Sequence, residues 1–187
     1  MRIIPTIPEI IFGMGCKLPS TVSILDIGCG ISFLSQHIPA DIHVAFDAYR
    51  PYLENIKTDI SYVPVQGKAQ DISKIFLPNS FDMVIATDIL EHLVKKDALK
   101  VIVDMEVIAR KVIYVEMPET YIPQNIDIWG LGGHYWQTHR STGEWSKGEL
   151  EKLGFTVSRR EYKMSDVKRH EDSIDPNIIK LDGVKIL

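Results

Sequence analysis

Short apolar runs alternate with stretches of helical spacing along most of this chain, and this alternation constrains the fold more than any other feature. Apolar residues that run together predict strands, and apolar residues that recur every three or four positions predict helices. Strands are predicted at 23–28, 43–47, 62–66, 81–87, 111–118, 155–162 and in the tail 177–187, with helices at 33–38, 50–58, 95–110 and 146–155. This alternation predicts a doubly wound α/β domain, whose mostly parallel, seven-stranded, Rossmann-like sheet carries helices on both faces.

The carboxy-terminal tail admits two arrangements. Asp182-Gly183 favours a type I′ turn that would fold residues 177–187 into a small hairpin, and the other arrangement is one last strand. We expect the strand. Since repeats, low-complexity stretches and linkers are absent from the sequence, residues 1–187 are predicted to form a single domain, with an amino-terminal segment at 1–21 and a substrate-side loop at 116–145.

Composition narrows the partners and the compartment. The 187 residues carry a net charge of -4, which provides no basic surface for nucleic acid and leaves a small molecule as the expected partner. No run reaches the roughly 18 apolar residues of a membrane span, and Pro5, Pro8 and Gly13 interrupt the apolar amino terminus. Cys16 and Cys29 are too few for a disulfide framework, which favours the reducing cytoplasm. The sequence leaves the oligomeric state open.

The residues that follow each predicted strand carry the candidate binding site, because ligands of doubly wound sheets bind at the carboxyl ends of the strands. The first strand leads through Asp26 into a turn where Gly28 and Gly30 let a ligand approach the backbone without meeting a Cβ atom. A dinucleotide fingerprint, GxGxxG, would need a third glycine at the position of Phe33. An oxidoreductase that binds NAD or another nucleotide is therefore a less favoured alternative.

Acidic residues follow the second and third strands. Asp47 is suited to accept hydrogen bonds from both hydroxyls of a ribose, each worth about 1.5–3 kcal/mol, or else to cap the helix that follows it. After the third strand, Asp71 and the N–H of Ile72 are suited to meet the edge of an adenine. A shifted register would put Lys68 and Ala69 at that place instead, and a plain surface turn is the third interpretation.

In this order and spacing, the segments ILDIGCG, VAFD, QDI and FDMVIATDILEHL resemble the class I S-adenosylmethionine-dependent methyltransferase family over about residues 22–118. Each segment alone is a weak signal, whereas the ordered set is specific. The resemblance implies S-adenosylmethionine as the cofactor and methyl transfer as the reaction. It also implies that Gly28 and Gly30 border the methionine part, Asp47 with Ala48 holds the ribose, Asp71 and Ile72 read the adenine, and Thr87 and Asp88 lie near the sulfonium.

Three histidines are the candidate catalytic bases. A base helps when the methyl acceptor is a hydroxyl or an amine, and imidazole ordinarily titrates near neutral pH. His92 follows the fourth strand, and His134 and His139 belong to the loop after the fifth. The structural alternatives are that His92 orients the start of a helix and that the loop histidines bond to backbone.

The segment TDILEHL also resembles the ExxEH motif with which some ubiquinone-pathway and small-RNA O-methyltransferases hold a divalent metal. Helical spacing would put Asp88 next to Glu91 and His92 on one face. An aspartate replaces the first glutamate of that motif, and a further histidine such as His134 or His139 would have to complete the site. We therefore expect no metal.

The connection after the fifth strand, residues 116–145, is far longer than the usual length of about 2–6 residues. Its aromatic residues argue against disorder, and they are Tyr121, Trp129, Tyr135, Trp136 and Trp145. We expect this connection to form an acceptor lid over the carboxyl edge of the sheet, with Arg140 as an anion clamp. Packing of the tryptophans on the sheet edge is the alternative.

Together, these features predict a methyltransferase that acts on an oxygen or nitrogen of a small molecule. The fourth strand lacks the Asn/Asp-Pro-Pro-Tyr turn of enzymes that methylate nucleic-acid bases, which disfavours such substrates. Because the chain leaves no room for a separate substrate domain, a non-catalytic cofactor-binding module or partner subunit is the alternative.

Overall fold

The computed structural model describes residues 6–17, 20–122, 124, 126–139, 145–163 and 177–187. One sheet contains seven strands: β1 Ser23–Ile27, β2 Ile42–Asp47, β3 Val63–Gln66, β4 Phe81–Thr87, β5 Ala109–Pro118, β6 Thr156–Lys163 and β7 Asn177–Ile186. Their order is β3-β2-β1-β4-β5-β7-β6. β1 to β5 pair in parallel, and β7 is antiparallel to both β5 and β6. The predicted doubly wound, mostly parallel sheet is confirmed.

Helices connect these strands. In the described part of the chain they are α1 Ile7–Gly13, α2 Arg50–Glu54, α3 Ile72–Ile75, α4 Lys95–Ile108, α5 His134–Gln137 and α6 Lys147–Lys152, with 3-10 turns at Leu34–His37, Ala69–Asp71 and Leu90–His92. Over the same residues, no helix combines the length and the apolar character that crossing a membrane requires.

Alternate residues of the central strands face opposite layers, which explains why the strands read as continuous apolar runs. In β1, Leu25 packs in the layer that also contains α4, whereas Ile24 packs in the layer of α1. Ile102 of α4 and Ile11 of α1 are both almost fully buried in their respective layers. Helices therefore cover both faces, and the carboxyl ends of β1, β2 and β4 stay available for a site.

The tail forms one continuous strand, as expected, although its sequence favours a turn. Gly183 pairs with Val115 of β5 on one side and with Val157 of β6 on the other, so a turn there would leave two strands without their ladder. A Cβ atom at Gly183 would lie 2.9 Å from the side chain of Val115. Close packing of the neighbouring side chains, rather than reversal of the chain, requires the glycine.

The stretch predicted as a helix at 33–38 contains only the 3-10 turn Leu34–His37. Phe33 precedes it with φ 41, a left-handed conformation that interrupts a helix, and its fully buried ring packs against Tyr62. Packing of the aromatic side chain therefore outweighs the local helical pattern.

Candidate active site

A cleft of about 140 Å³ opens at the carboxyl ends of β1, β2 and β4. The predicted site residues that line it are Gly28, Gly30, Asp47, Ala48, Asp88 and His92. The chain places these residues together because parallel strands end at the same edge of the sheet. Asp26, Asp71, Ile72 and Thr87 are not among its lining residues.

Both glycines of the turn adopt positive φ, 64 for Gly28 and 53 for Gly30. A Cβ atom at Gly28 would lie 2.6 Å from Ile89, and one at Gly30 would lie 2.3 Å from Cη2 of Trp129. The glycines therefore allow a close approach to the backbone, as predicted. In this structure the groups that approach it are the side chains of Ile89 and Trp129.

Asp47 ends β2 as a buried carboxylate at the wall of the cleft. Its Oδ2 accepts a hydrogen bond from the N–H of Gly30 at 3.0 Å, and its Oδ1 accepts one from the N–H of Tyr49 at 2.8 Å. Burial raises the pKa of Asp47, whereas these N–H donors oppose the rise. Asp47 thus braces the glycine turn and the start of α2, and it also faces the cleft.

The structure places the two residues predicted to read an adenine away from the lining of the cleft. The carboxylate of Asp71 points to Lys74, 2.6 Å away, and Ile72 is fully buried in the core. The 3-10 turn Ala69–Asp71 changes the direction of the chain, so the cleft is lined after β3 by Lys68, Ala69 and Gln70. Two of these residues, Lys68 and Ala69, are the alternative that the sequence left open for this place.

Asp26 and Thr87 lie within the sheet rather than in the cleft. Asp26 is fully buried in β1, and its Oδ2 accepts a hydrogen bond from the N–H of Ser35 at 3.0 Å. Burial, reinforced by the charge of Asp47, raises the pKa of Asp26 to about 7. Thr87 is buried at the end of β4, where it pairs with Glu116 of β5. Both residues therefore lie in the sheet beneath the turns that line the cleft.

The spacing predicted that Asp88 would share a helical face with Glu91 and His92, and this prediction is wrong. Asp88 precedes the 3-10 turn with φ 50, and its Oδ2 accepts a hydrogen bond from Nζ of Lys180. Lys180 also donates to Oε1 of Glu116 at 2.6 Å. The contact with β7 therefore decides where the Asp88 carboxylate lies.

Glu91, His92 and His139 converge at one end of the cleft. One possible ligand atom from each residue lies within 4.8 Å of the others, and the rings of His92 and His139 are in edge contact. Glu91 is 4% exposed, and its Oε2 has no hydrogen-bond partner among the described residues. Burial, with the neighbouring charge of Asp88, raises the pKa of Glu91 well above its ordinary value.

The third candidate base lies apart from this group. His134 is exposed at the start of α5, and its Nε2 lies 2.9 Å from the carbonyl oxygen of Gln124. This contact matches the interpretation that a loop histidine bonds to backbone. Arg140, the predicted anion clamp, lies outside the described residues.

β5 ends at Pro118, as predicted, so the first residues of the connection counted as 116–145 belong to the strand. Trp145, at the other end of the loop, is buried in the core with Nζ of Lys95 3.4 Å from its ring centroid. Trp129 and Trp136 line the cleft instead. One tryptophan therefore packs in the core, as the structural alternative expected, whereas two reach the site.

Tyr52 and Gln137 also line the cleft, although the sequence did not predict them there. Nε2 of Gln137 donates to the hydroxyl of Tyr52 at 2.6 Å and to Asp127 at 2.9 Å, which ties the loop to α2. Burial raises the pKa of Tyr52 to about 12. An aromatic residue just after the acid of β2 was the available signal, but its partner is 85 positions away in sequence.

Comparison with known families agrees with this geometry. Residues 25–111 match a family model described as a methyltransferase domain. This match agrees with the resemblance of residues 22–118 to the class I methyltransferases. The cofactor of this methyltransferase is S-adenosylmethionine, in agreement with the resemblance noted in the sequence.

Solved structures share the fold of this methyltransferase. An S-adenosylmethionine-dependent methyltransferase of Archaeoglobus fulgidus matches with TM-score 0.55 and 17% identity over 88% of this chain and 86% of that one. Another, from Thermotoga maritima, matches with TM-score 0.55 and 16% identity over 94% and 86%. A structure of a Haloferax volcanii methyltransferase activator in complex with a methyltransferase matches with TM-score 0.58 and 14% identity over 89% and 83%. None of the curated proteins matches significantly in sequence.

The donors around the cleft of the methyltransferase fit this cofactor. A glycine turn free of side chains of its own suits the methionine part, and the buried carboxylate of Asp47 suits a ribose hydroxyl. Lys68 and Gln70 supply polar groups after β3, where the adenine is expected. The assignment of each residue to a part of the cofactor remains a prediction.

Proposed function

We propose that this methyltransferase transfers the methyl group to an oxygen or nitrogen of a small-molecule acceptor. One observation carries the proposal: His92 lines the cofactor cleft and lies in edge contact with His139, with ring centroids 4.8 Å apart. Two imidazoles at the edge of a cofactor cleft suit an acceptor that must lose a proton. Tyr121, whose ring centroid is 5.8 Å from that of His139, extends an aromatic surface for the acceptor.

The chemistry is a displacement at carbon. When bound, the cofactor supplies a methyl group on a positively charged sulfur, which leaves as a neutral thioether. The acceptor would displace that thioether from the methyl carbon, and the imidazole of His92 or His139 would accept the proton that the acceptor loses. Correct alignment of the reacting atoms supplies roughly 7–11 kcal/mol of the barrier reduction, so the cleft acts mainly by positioning.

The test is release of S-adenosylhomocysteine with a panel of small hydroxyl and amine acceptors. We expect His92→Gln and His139→Gln to lower kcat by about 100-fold or more and to remove a neutral-range limb from the pH profile. His134→Gln is the control, because the ring of His134 contacts the Gln124 carbonyl outside the cleft. Unchanged rates in both test variants would remove the histidines from the mechanism.

A metal-assisted form of the same reaction is the second candidate. Its observation is the convergence of Glu91, His92 and His139, with ligand atoms within 4.8 Å of one another. Two imidazoles and a carboxylate suit zinc or another first-row divalent ion, which would hold and acidify an acceptor hydroxyl. The unpartnered Oε2 of Glu91 adds weight, because a cation would satisfy it.

Metal content of the purified protein separates the two candidates. The metal-assisted form requires about one equivalent of bound divalent ion, its loss in His139→Gln, and activity that disappears with a chelator and returns with the ion. A rate that does not respond to chelation would leave the general-base form. His134→Gln again serves as the control, since that residue is not in the converging group.

A non-catalytic module or partner subunit stays the alternative to an enzyme that works alone. One fold neighbour was solved with a methyltransferase activator, which supports a search for a protein partner here. Binding of S-adenosylmethionine without turnover of any acceptor would favour this alternative. The cytoplasm stays the proposed compartment, with the free thiols of Cys16 and Cys29 in its support, and residues 1–187 stay a proposed single domain.

A further inference from the structure

Trp129 fills the space that the glycine turn leaves empty. The six-membered edge of its indole lies directly on the backbone of Gly30, where a Cβ atom would be 2.3 Å from Cη2 and 2.9 Å from Cζ3. Both residues line the same cleft as Asp47. The position that a glycine should leave open for a cofactor is therefore occupied by the protein itself.

The cleft is small for a cofactor site in this conformation. It measures about 140 Å³, whereas sites for small molecules and cofactors ordinarily measure roughly 300–1,000 Å³. The turns after β1 to β4 and Tyr52 of α2 form most of the cleft, and the loop that carries Trp129 forms a further wall. The loop wall is the part that has to give way.

A short network holds the Trp129 segment against α2. Asp127 Oδ2 accepts hydrogen bonds from the N–H groups of Gly132 at 2.6 Å and Gly133 at 3.3 Å. The hydroxyl of Tyr49 donates to the carbonyl oxygen of Leu131 at 2.8 Å. These bonds hold the backbone of the segment, so the indole side chain is the part that moves most easily.

The indole itself is held less completely. Its ring makes an edge contact with Tyr52, with centroids 4.5 Å apart, but its buried Nε1 has no hydrogen-bond partner among the described residues. An unsatisfied buried N–H is unfavourable, because the group loses its hydrogen bond to water. Rotation of Trp129 away from Gly30 would release that N–H to solvent and vacate the glycine turn.

We propose that Trp129 occupies the cofactor's place on Gly30 in the unliganded protein and thereby sets the affinity and association rate of S-adenosylmethionine. This inference rests on the proposed cofactor contacts of the glycine turn. If the indole is in place in about nine molecules of ten, it lowers the apparent affinity about tenfold, because only the open fraction binds.

Binding of S-adenosylhomocysteine, measured by calorimetry and stopped flow, tests the proposal without an acceptor. We expect Trp129→Ala to raise the association rate and the affinity at least about fivefold. Phe12→Ala is the control, because this exposed aromatic residue of α1 does not line the cleft. Unchanged or weaker binding by Trp129→Ala would overturn the proposal.

A second measurement needs no alanine at position 129. In a Trp136→Phe background, Trp129 and the buried Trp145 are the remaining tryptophans. Acrylamide should quench the fluorescence more strongly after S-adenosylhomocysteine binds, because Trp129 leaves its half-buried position. Equal or weaker quenching would contradict the displacement.

The same titrations separate this proposal from the cofactor assignment. Binding that is lost in Asp47→Ala but unaltered in Trp129→Ala would overturn the role of Trp129 alone. Absence of binding in both the wild type and Trp129→Ala would overturn both assignments. Binding that appears only in Trp129→Ala would support the proposal strongly.

Discussion

Lys180 of β7 donates a hydrogen bond from Nζ to Oε1 of Glu116 on β5, at 2.6 Å, in the interior behind the cleft. The other oxygen of Glu116 accepts from Arg160 of β6 at 2.6 Å, and Asp182 accepts from the same guanidinium. Burial acts to raise the pKa of Glu116, but Lys180 and Arg160 outweigh it and hold that pKa at about 2. Strands β5, β6 and β7 are therefore joined by charges as well as by backbone.

Lys180→Met should destabilise the protein by about 3–5 kcal/mol, because it leaves part of the buried charge of Glu116 unpaired. Urea unfolding at pH 7 measures this difference. The stabilising effect of the low Glu116 pKa is present above its ordinary value near 4.5 and is lost as the pH falls toward 2. The difference between variant and wild type should accordingly shrink on acidification.

Lys74→Met is the matched control for that experiment. Lys74 pairs with Asp71 at 2.6 Å, like Lys180 with Glu116, but its side chain is 74% exposed against 19% for Lys180. An exposed pair contributes little, so we expect no measurable change in Tm. Equal effects of both substitutions would show that burial of the network does not matter.

Asp26→Asn should change how stability depends on pH. Burial raises the folded-state pKa of Asp26 to about 7, so the wild type loses stability as the pH rises from about 4 through 7. An asparagine keeps an acceptor for the N–H of Ser35 without a charge. We expect the variant to gain roughly 1–3 kcal/mol relative to wild type between pH 5 and pH 8, measured by denaturant unfolding; a constant difference would contradict the assigned pKa.

Gly30→Ala should destabilise the protein by more than about 2 kcal/mol, because the new methyl group meets both a positive φ and the indole of Trp129. Gly130→Ala is the control, since that residue has φ 64 but nothing within 4 Å of the added carbon. Thermal unfolding measures both. Adding Trp129→Ala to Gly30→Ala should recover part of the lost stability. If the effects of the two substitutions on stability simply add, the contact with Trp129 is not the cause of the loss.

Asp47→Ala should weaken S-adenosylmethionine binding at least about tenfold, because the carboxylate lines the cleft and its hydrogen bonds shape the glycine turn. Calorimetry measures this change. Asp71→Ala is the control, since Asp71 pairs with Lys74 away from the cleft. Loss of binding in Asp71→Ala would instead restore the adenine contact predicted from the sequence.

The strand predictions succeeded because buried strands have a strong local signal. The run FDMVIAT is β4 as predicted, and the helix predicted at 146–155 is present as α6, with a capping box formed by Ser146 and Glu149. Apolar runs and capping pairs act between neighbours in sequence, so they are visible without a structure. The same holds for the glycine turn and for Asp47 at the end of β2.

Side-chain directions in the connections were not predictable in the same way. Asp71 directly follows Gln70, yet Gln70 lines the cleft and Asp71 pairs with Lys74, because successive side chains of the 3-10 turn Ala69–Asp71 point in different directions. Asp88 faces Lys180, which is 92 positions away in sequence. A shift of one residue, or a distant partner, changes what a side chain contacts without changing the local pattern.

The sequence by itself determined the alternation of strands and helices, the glycine turn and the acid of β2, all of which depend on short-range spacing. Tertiary structure alone decided that Glu91, His92 and His139 converge and that Trp129 lies on Gly30. The reason is physical: these contacts join segments far apart in the chain, and packing of the folded sheet and loop brings them within a few ångströms.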